Sequence, residues 1–130
     1  MDKNTVKQKV QELVNKYKQV AQYGQLKKYS EEDTIKDFIL PLFNILGWDT
    51  FDKKEVSAQD HIKGSGHPDY TFKINGITQF YLEAKKFNID LDDEKFAFQA
   101  INYSWNKGVT YAILTDFEAI KVFNAQRIDK

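Results

Sequence analysis

Residues 66–86, GHPDYTFKINGITQFYLEAKK, hold two runs of β-forming residues joined by Asn75-Gly76. Because side chains alternate between the faces of a strand, few pairings of these runs are allowed. A two-residue Asn-Gly turn carried straight down the hairpin pairs Ile74 with Ile77, Phe72 with Gln79 and Tyr70 with Tyr81. That pairing sets an apolar face against a mixed one. The first run places Tyr70, Phe72 and Ile74 together, and the second places Phe80, Leu82 and Ala84 together. The two sets coincide once the pairing shifts by one residue, which a three-residue loop with a left-handed Gly76 and a bulge would supply. Ile74 then faces Thr78, Phe72 faces Phe80 and Tyr70 faces Leu82. The same register sets Asp69 opposite Glu83, with Lys85 two residues along on the same face.

Opposed strand residues lie roughly 5 Å apart at Cβ. Two carboxylates at that separation repel by about 3 kcal/mol at an effective dielectric near 20. A bound cation, Lys85 or protonation of one acid would relieve the repulsion. An ordinary Glu–Lys edge pair in another register also suits these residues, and the hairpin alone leaves both readings open.

Elsewhere, Val6, Val10, Leu13, Val14, Tyr17, Val20 and Ala21 recur at helical spacing and predict a helix over 5–22, ended by Gly24. Ser30, with Asp33 three residues on, caps a second helix that runs through Ile35, Phe38, Ile39, Leu42 and Leu46 to Gly47. Pro41 should kink it, because proline lacks the backbone donor and crowds the preceding turn. Residues 51–56 read as a short edge strand, and SAQDHIKGSGH as a long polar loop. After the hairpin, a third helix is expected over about 93–106, capped by Asp92 or Asp93 and stopped by Gly108. VTYAILT and AIKVFNA read as two final strands, the first apolar enough to be central. The order ααβββαββ implies an α/β fold with helices flanking a mixed central sheet.

With 130 residues and 42% hydrophobic content, the chain suits a single domain, 1–130, with one core. Its end after Arg127-Ile128-Asp129-Lys130 suggests the N-terminal fragment of a longer protein. No cysteine is present, which excludes disulfides and thiolate zinc sites and fits a cytoplasmic protein. Two histidines, His61 and His67, exclude a His-rich metal site, so any metal would be held mainly by oxygen, the chemistry of magnesium, calcium or manganese. The first residues hold no apolar run of signal-peptide length. Zero net charge argues against strong independent affinity for phosphate. Seven lysines within residues 1–30 face only Asp2 and Glu12, and they read as a solvated helix face.

Pro68-Asp69, thirteen intervening positions and then Glu83-Ala84-Lys85 resemble the PD-(D/E)xK nuclease motif. Gln99-Ala-Ile-Asn-Tyr103 resembles the QxxxY element of its RecB-like branch, and places Gln99 and Tyr103 at i, i+4 on one helical face. The segments SEEDTIKDFILPLFNILGWD and TYAILTDFEAIKVFN resemble the opening helix and closing strand pair of the N-terminal nuclease domain of type I restriction R subunits and of fused type IIG restriction-methylation enzymes. The resemblance covers about residues 28–124.

It implies a restriction-endonuclease-like fold and a metal-dependent endonuclease acting on double-stranded DNA, with recognition delegated to specificity, helicase or methyltransferase domains or subunits. Asp69, Glu83 and the Ala84 carbonyl would ligate Mg2+, for which Mn2+ substitutes, and Lys85 would orient the attacking water. Glu31 or Glu32 would be the helix acid. Glu31 is preferred because it shares a face with Ile35, Phe38 and Leu42, whereas Glu32 suits the helix dipole. Gln99 and Tyr103 would contact phosphate or support the ligands, and His67 lies beside the motif. A RecB-like repair nuclease and a catalytically silent nucleic-acid-binding or assembly domain of the same fold are the alternatives.

Overall fold

A computed structural model of the chain describes residues 2–58 and 68–126. Helix α1 spans Lys3–Gln22, two residues more at its start than the apolar spacing implies, because the Asp2 carboxylate caps it by accepting the Thr5 N–H at 2.8 Å. Its apolar stripe is shallow: Leu13 is buried, while Val10, Tyr17 and Val20 pack more loosely against Phe38, Leu42 and Phe87.

The second helical run comprises α2 (Glu31–Thr34), a π-helical turn (Ile35–Ile39) and α3 (Leu40–Ile45). Ser30 caps it by accepting the Asp33 N–H at 3.0 Å, as its sequence signature implies. The disturbance expected from Pro41 takes the form of this widened turn, in which the Leu40 N–H donates to the Ile35 carbonyl. The Asp37 carbonyl, which the missing Pro41 N–H would otherwise satisfy, accepts Lys16 Nζ at 3.3 Å. A cation on α1 thus replaces a backbone donor lost from the neighbouring helix.

Among the described residues five strands follow: β1 (Val56–Ala58), β2 (Tyr70–Ile74), β3 (Ile77–Ala84), β4 (Tyr111–Thr115) and β5 (Ile120–Asn124), with α4 (Glu94–Lys107) between β3 and β4. They form one mixed sheet in the order β1-β2-β3-β4-β5. β3 and β4 are parallel and the other neighbouring pairs antiparallel. Helix α4 is the crossover that parallel neighbours require. Asp93 caps it, accepting the Lys95 N–H, and Gly108 ends it at φ 71°.

The strand expected at 51–56 is displaced. Residues 51–55 form turns instead: Asp49 and Asp52 accept the N–H groups of Phe51 and Lys54, and the Asp52 carbonyl accepts those of both Glu55 and Val56. Pairing starts only at Val56, opposite Phe72. Of the long polar loop, Ser57 and Ala58 belong to β1, and 59–67 lie outside the described residues.

The hairpin register is the expected one at its base, with Tyr70 opposite Leu82 and Phe72 opposite Phe80. Its tip differs. Asn75 and Gly76 both have positive φ, 51° and 78°, and form a two-residue turn with Ile74 opposite Ile77. Lys73 then pairs with Thr78, so the extra residue is Gln79, bulged within β3. The apolar faces still coincide: the Phe72 and Phe80 rings stack with centroids 4.5 Å apart.

One sheet face, carrying Phe72, Leu82 and Ala84, is covered by Ile39 and Phe43 of the second helical run, with Ile35, Leu40 and Trp48 at the margin. The other face meets α4, where Tyr103 packs edge-on against Tyr81. Burial of each large core side chain such as Phe72 or Leu82 contributes roughly 1.5–3 kcal/mol. Glu118, in the β4–β5 turn, accepts both the Tyr17 hydroxyl and the Asn88 N–H, tying α1 to the end of the sheet at which β3 and β4 finish.

Candidate functional site

The register that buries Phe72 against Phe80 leaves Asp69, Glu83 and Lys85 at one end of β2 and β3. The Asp69 N–H donates to the Leu82 carbonyl at 3.0 Å, and Asp69 Oδ2 accepts the Ala84 N–H at 2.7 Å. The Asp69 carboxylate is therefore locked onto the backbone of the Glu83-Ala84-Lys85 segment. Both acids are buried, Asp69 at 5% exposure and Glu83 at 8%. Lys85 Nζ lies 3.2 Å from Glu83 Oε1 and 4.7 Å from the centre of the Phe96 ring on α4. Its own backbone is fixed by the Thr115 carbonyl of β4, which accepts the Lys85 N–H at 2.9 Å.

Burial pushes the Glu83 carboxyl up to about 7; the nearby Asp69 charge adds to this, Lys85 opposes it, and Glu31 raises it further. Of the two candidate helix acids, Glu31 is thus the one whose charge reaches Glu83. Glu32 acts instead on Tyr70, whose hydroxyl is pushed up by burial, then by Asp69 and Glu32. The second helical run begins beside the strand ends and brings Glu31 there.

Helix α4 runs antiparallel to β3, since Phe96 meets Lys85 and Tyr103 meets Tyr81. Gln99 lies between Phe96 and Tyr103 on α4, and its side chain is exposed. Tyr103 is half-buried on Tyr81. Asp69, Glu83, Lys85 and Glu31 are brought together, with Tyr103 and Gln99 on the helix alongside. His67 lies outside the described residues.

One acidic group has no forerunner in the sequence reading. Asp49, Asp52 and Glu55 bring carboxylate oxygens within 4.8 Å of one another, a tighter group than Asp69, Glu83 and Glu31 make among the described residues. Each of these three carboxylates accepts a backbone N–H of the 49–55 turn, which accounts for their proximity. The signal for that turn was Asp49 and Asp52 placed to cap their own following residues.

An oxygen-only donor set, two buried carboxylates and one partly sheltered lysine leave excess negative charge at the end of β3. That arrangement suits a hard divalent cation better than a soft one. Among the described residues no helix is long and apolar enough to cross a membrane.

The chain is 30% identical over 131 residues to the type II restriction enzyme and methyltransferase RM.Eco57I of Escherichia coli. The similarity covers 91% of this chain and 13% of that relative, so the chain spans about an eighth of the relative's length. No protein-family profile and no solved structure matches it. The similarity supports a restriction-system relationship, and the five-stranded mixed sheet with flanking helices is consistent with a restriction-endonuclease-like fold.

Proposed function

We propose that this chain is the DNA-cleaving part of a restriction system, a metal-dependent endonuclease of the PD-(D/E)xK kind that leaves sequence recognition to other domains or subunits. The observation that carries this reading is the meeting of Asp69, Glu83 and Lys85 at one end of β3, with Asp69 bonded to the Ala84 N–H. The restriction-methylation relative supports the biological setting, with a methyltransferase as neighbour, and double-stranded DNA is the substrate we assign to this chain.

Asp69, Glu83 and the Ala84 carbonyl would hold Mg2+, or Mn2+ in its place, and Glu31, whose charge bears on Glu83, would act through a bound water. When bound, the cation neutralises charge on the phosphorane-like transition state and acidifies water. Holding it requires Glu83 ionised, a form that burial and the charges of Asp69 and Glu31 disfavour and that Lys85 and a bound cation favour. Lys85 is fixed by Glu83 and the Phe96 ring, so its ammonium can hold a water in line with the scissile phosphorus. The water gives up a proton to solvent as its oxygen forms the new P–O bond, the bond to the 3′-oxygen breaks, and that oxygen takes a proton from solvent. Tyr103 and Gln99, on the helix beside the strand, would steady the phosphate.

The test is cleavage of plasmid DNA with magnesium or manganese, comparing the parent with Asp69→Asn and Glu83→Gln. Metal-dependent nicking or linearisation by the parent alone is expected. No cleavage by the parent, even joined to its neighbouring domains, would move the assignment to a silent nucleic-acid-binding or assembly domain.

A further inference from the structure

A groove of about 850 Å³ opens between the second helical run and the β1–β2 side of the sheet. Glu31 and Asp69, both placed above at the carboxylate site, form part of its wall, so the groove is continuous with that site. Beyond them its lining is mainly apolar: Ile35, Leu40, Pro41, Tyr70 and Phe51. Phe51 is 90% exposed and takes no part in the core. Its backbone is anchored, because its N–H is fixed by Asp49 Oδ1 at 3.0 Å in the 49–55 turn.

The charges of the groove decide what enters it. Lys36 is its one lysine among the described residues, against Glu31, Glu32, Asp37 and Asp69. A sugar-phosphate backbone would be repelled along such a wall. A nucleobase is neutral and flat, stacks on exposed aromatic rings, and carries amino groups that carboxylates accept. The groove has room for more than one base of roughly nucleoside size. Tyr70, which lines the groove next to Asp69, offers a hydroxyl donor at the junction of groove and site.

We propose that this groove receives an unpaired nucleobase from the nucleotide next to the scissile phosphate, stacking it on Phe51 with Glu32 available to its amino group. The inference rests on the nuclease reading of the adjoining carboxylates and extends it to the substrate: DNA locally unpaired at the point of cleavage. Duplex DNA would have to give up one base from its stack, and single strands would enter directly.

The experiment uses the full chain carrying Lys85→Ala, with magnesium, so that DNA is bound and not cut. The probe is a short single-stranded oligonucleotide containing 2-aminopurine, whose fluorescence falls when it stacks. Binding is expected to quench the probe. Adding Phe51→Ala should abolish the quenching and weaken binding by roughly 5- to 150-fold, the range for one lost base–aromatic stack. The melting temperature should not move, since Phe51 is exposed. With an abasic position in place of the 2-aminopurine, the two proteins should bind equally. Equal affinity of both proteins for the intact probe, no quenching, or no binding in the high micromolar range would each overturn the proposal. Plasmid cleavage by the parent is scored separately, so failure of the nuclease reading is distinguishable from failure of the groove.

Discussion

Asp69 Oδ2 accepts the backbone N–H of Ala84 at 2.7 Å, so a carboxylate at the start of β2 closes the end of β3. The bond makes one side chain both a strand-end cap and a candidate metal ligand, and substitutions can separate the two roles. Asp69→Asn keeps an oxygen acceptor and should retain the fold. Asp69→Ala leaves a buried N–H without its partner and should cost about 1–3 kcal/mol more than the asparagine variant. Urea unfolding measures the difference, and a thermal-shift titration with manganese should show that both variants have lost the response of the parent. Equal stability of the two variants would deny the cap its role.

Glu83 binds its proton more tightly in the folded chain than in the unfolded one, with its carboxyl raised from 4.5 to about 7. Stability from this group is therefore present at low pH and is lost as pH rises from about 4.5 to about 7. Without metal, Glu83→Gln should then be the more stable protein at pH 8, by on the order of 2 kcal/mol, with little difference near pH 4.5. Melts in EDTA at the two pH values check this. With magnesium the order at pH 8 should reverse, because only the parent gains a bound cation.

Lys85 packs on Phe96 and pairs with Glu83, but it fills no part of the core. Lys85→Ala should leave the domain folded and lower cleavage by about 10² or more, the scale of a lost positioning or electrostatic group. The assay needs plasmid DNA, manganese and either high protein concentration or the chain joined to its DNA-recognising neighbours. Cleavage at the parental rate would remove Lys85 from the mechanism.

Gln79 is the bulged residue that lets a two-residue Asn75-Gly76 turn coexist with Phe72 opposite Phe80. Deleting Gln79 should preserve every pair of the hairpin and cost no more than about 1–2 kcal/mol. Inserting a residue after Phe80 should be far worse, since it turns Leu82 and Ala84 out of the core and Glu83 into it. Circular dichroism with thermal melts of the two variants decides between them.

The sequence by itself determined the periodic features. Alternation in 70–74 and 80–84 set which residues face each other across the hairpin, and so placed Asp69 with Glu83. Ser30, Asp93 and Gly108 marked helix ends through bonds made within a few residues. Those signals are local, or depend only on which face is apolar, and a chain carries them wherever it lies. Tertiary structure decided the rest. The extra hairpin residue went to Gln79 instead of the turn because Asn75 and Gly76 both accept positive φ, leaving the slack to be absorbed inside β3. The turns at 51–55 are an exception, since Asp49, Asp52 and Glu55 bond backbone N–H groups no more than six residues away and that signal is local. The widened turn before Pro41 is satisfied by Lys16, twenty-one positions away. Likewise, helical periodicity could favour Glu31 over Glu32, but only the packing of the second helical run beside the sheet brings Glu31 near enough for its charge to bear on Glu83. Contacts between segments distant in sequence are energies of the assembled core, and no periodicity within one segment encodes them.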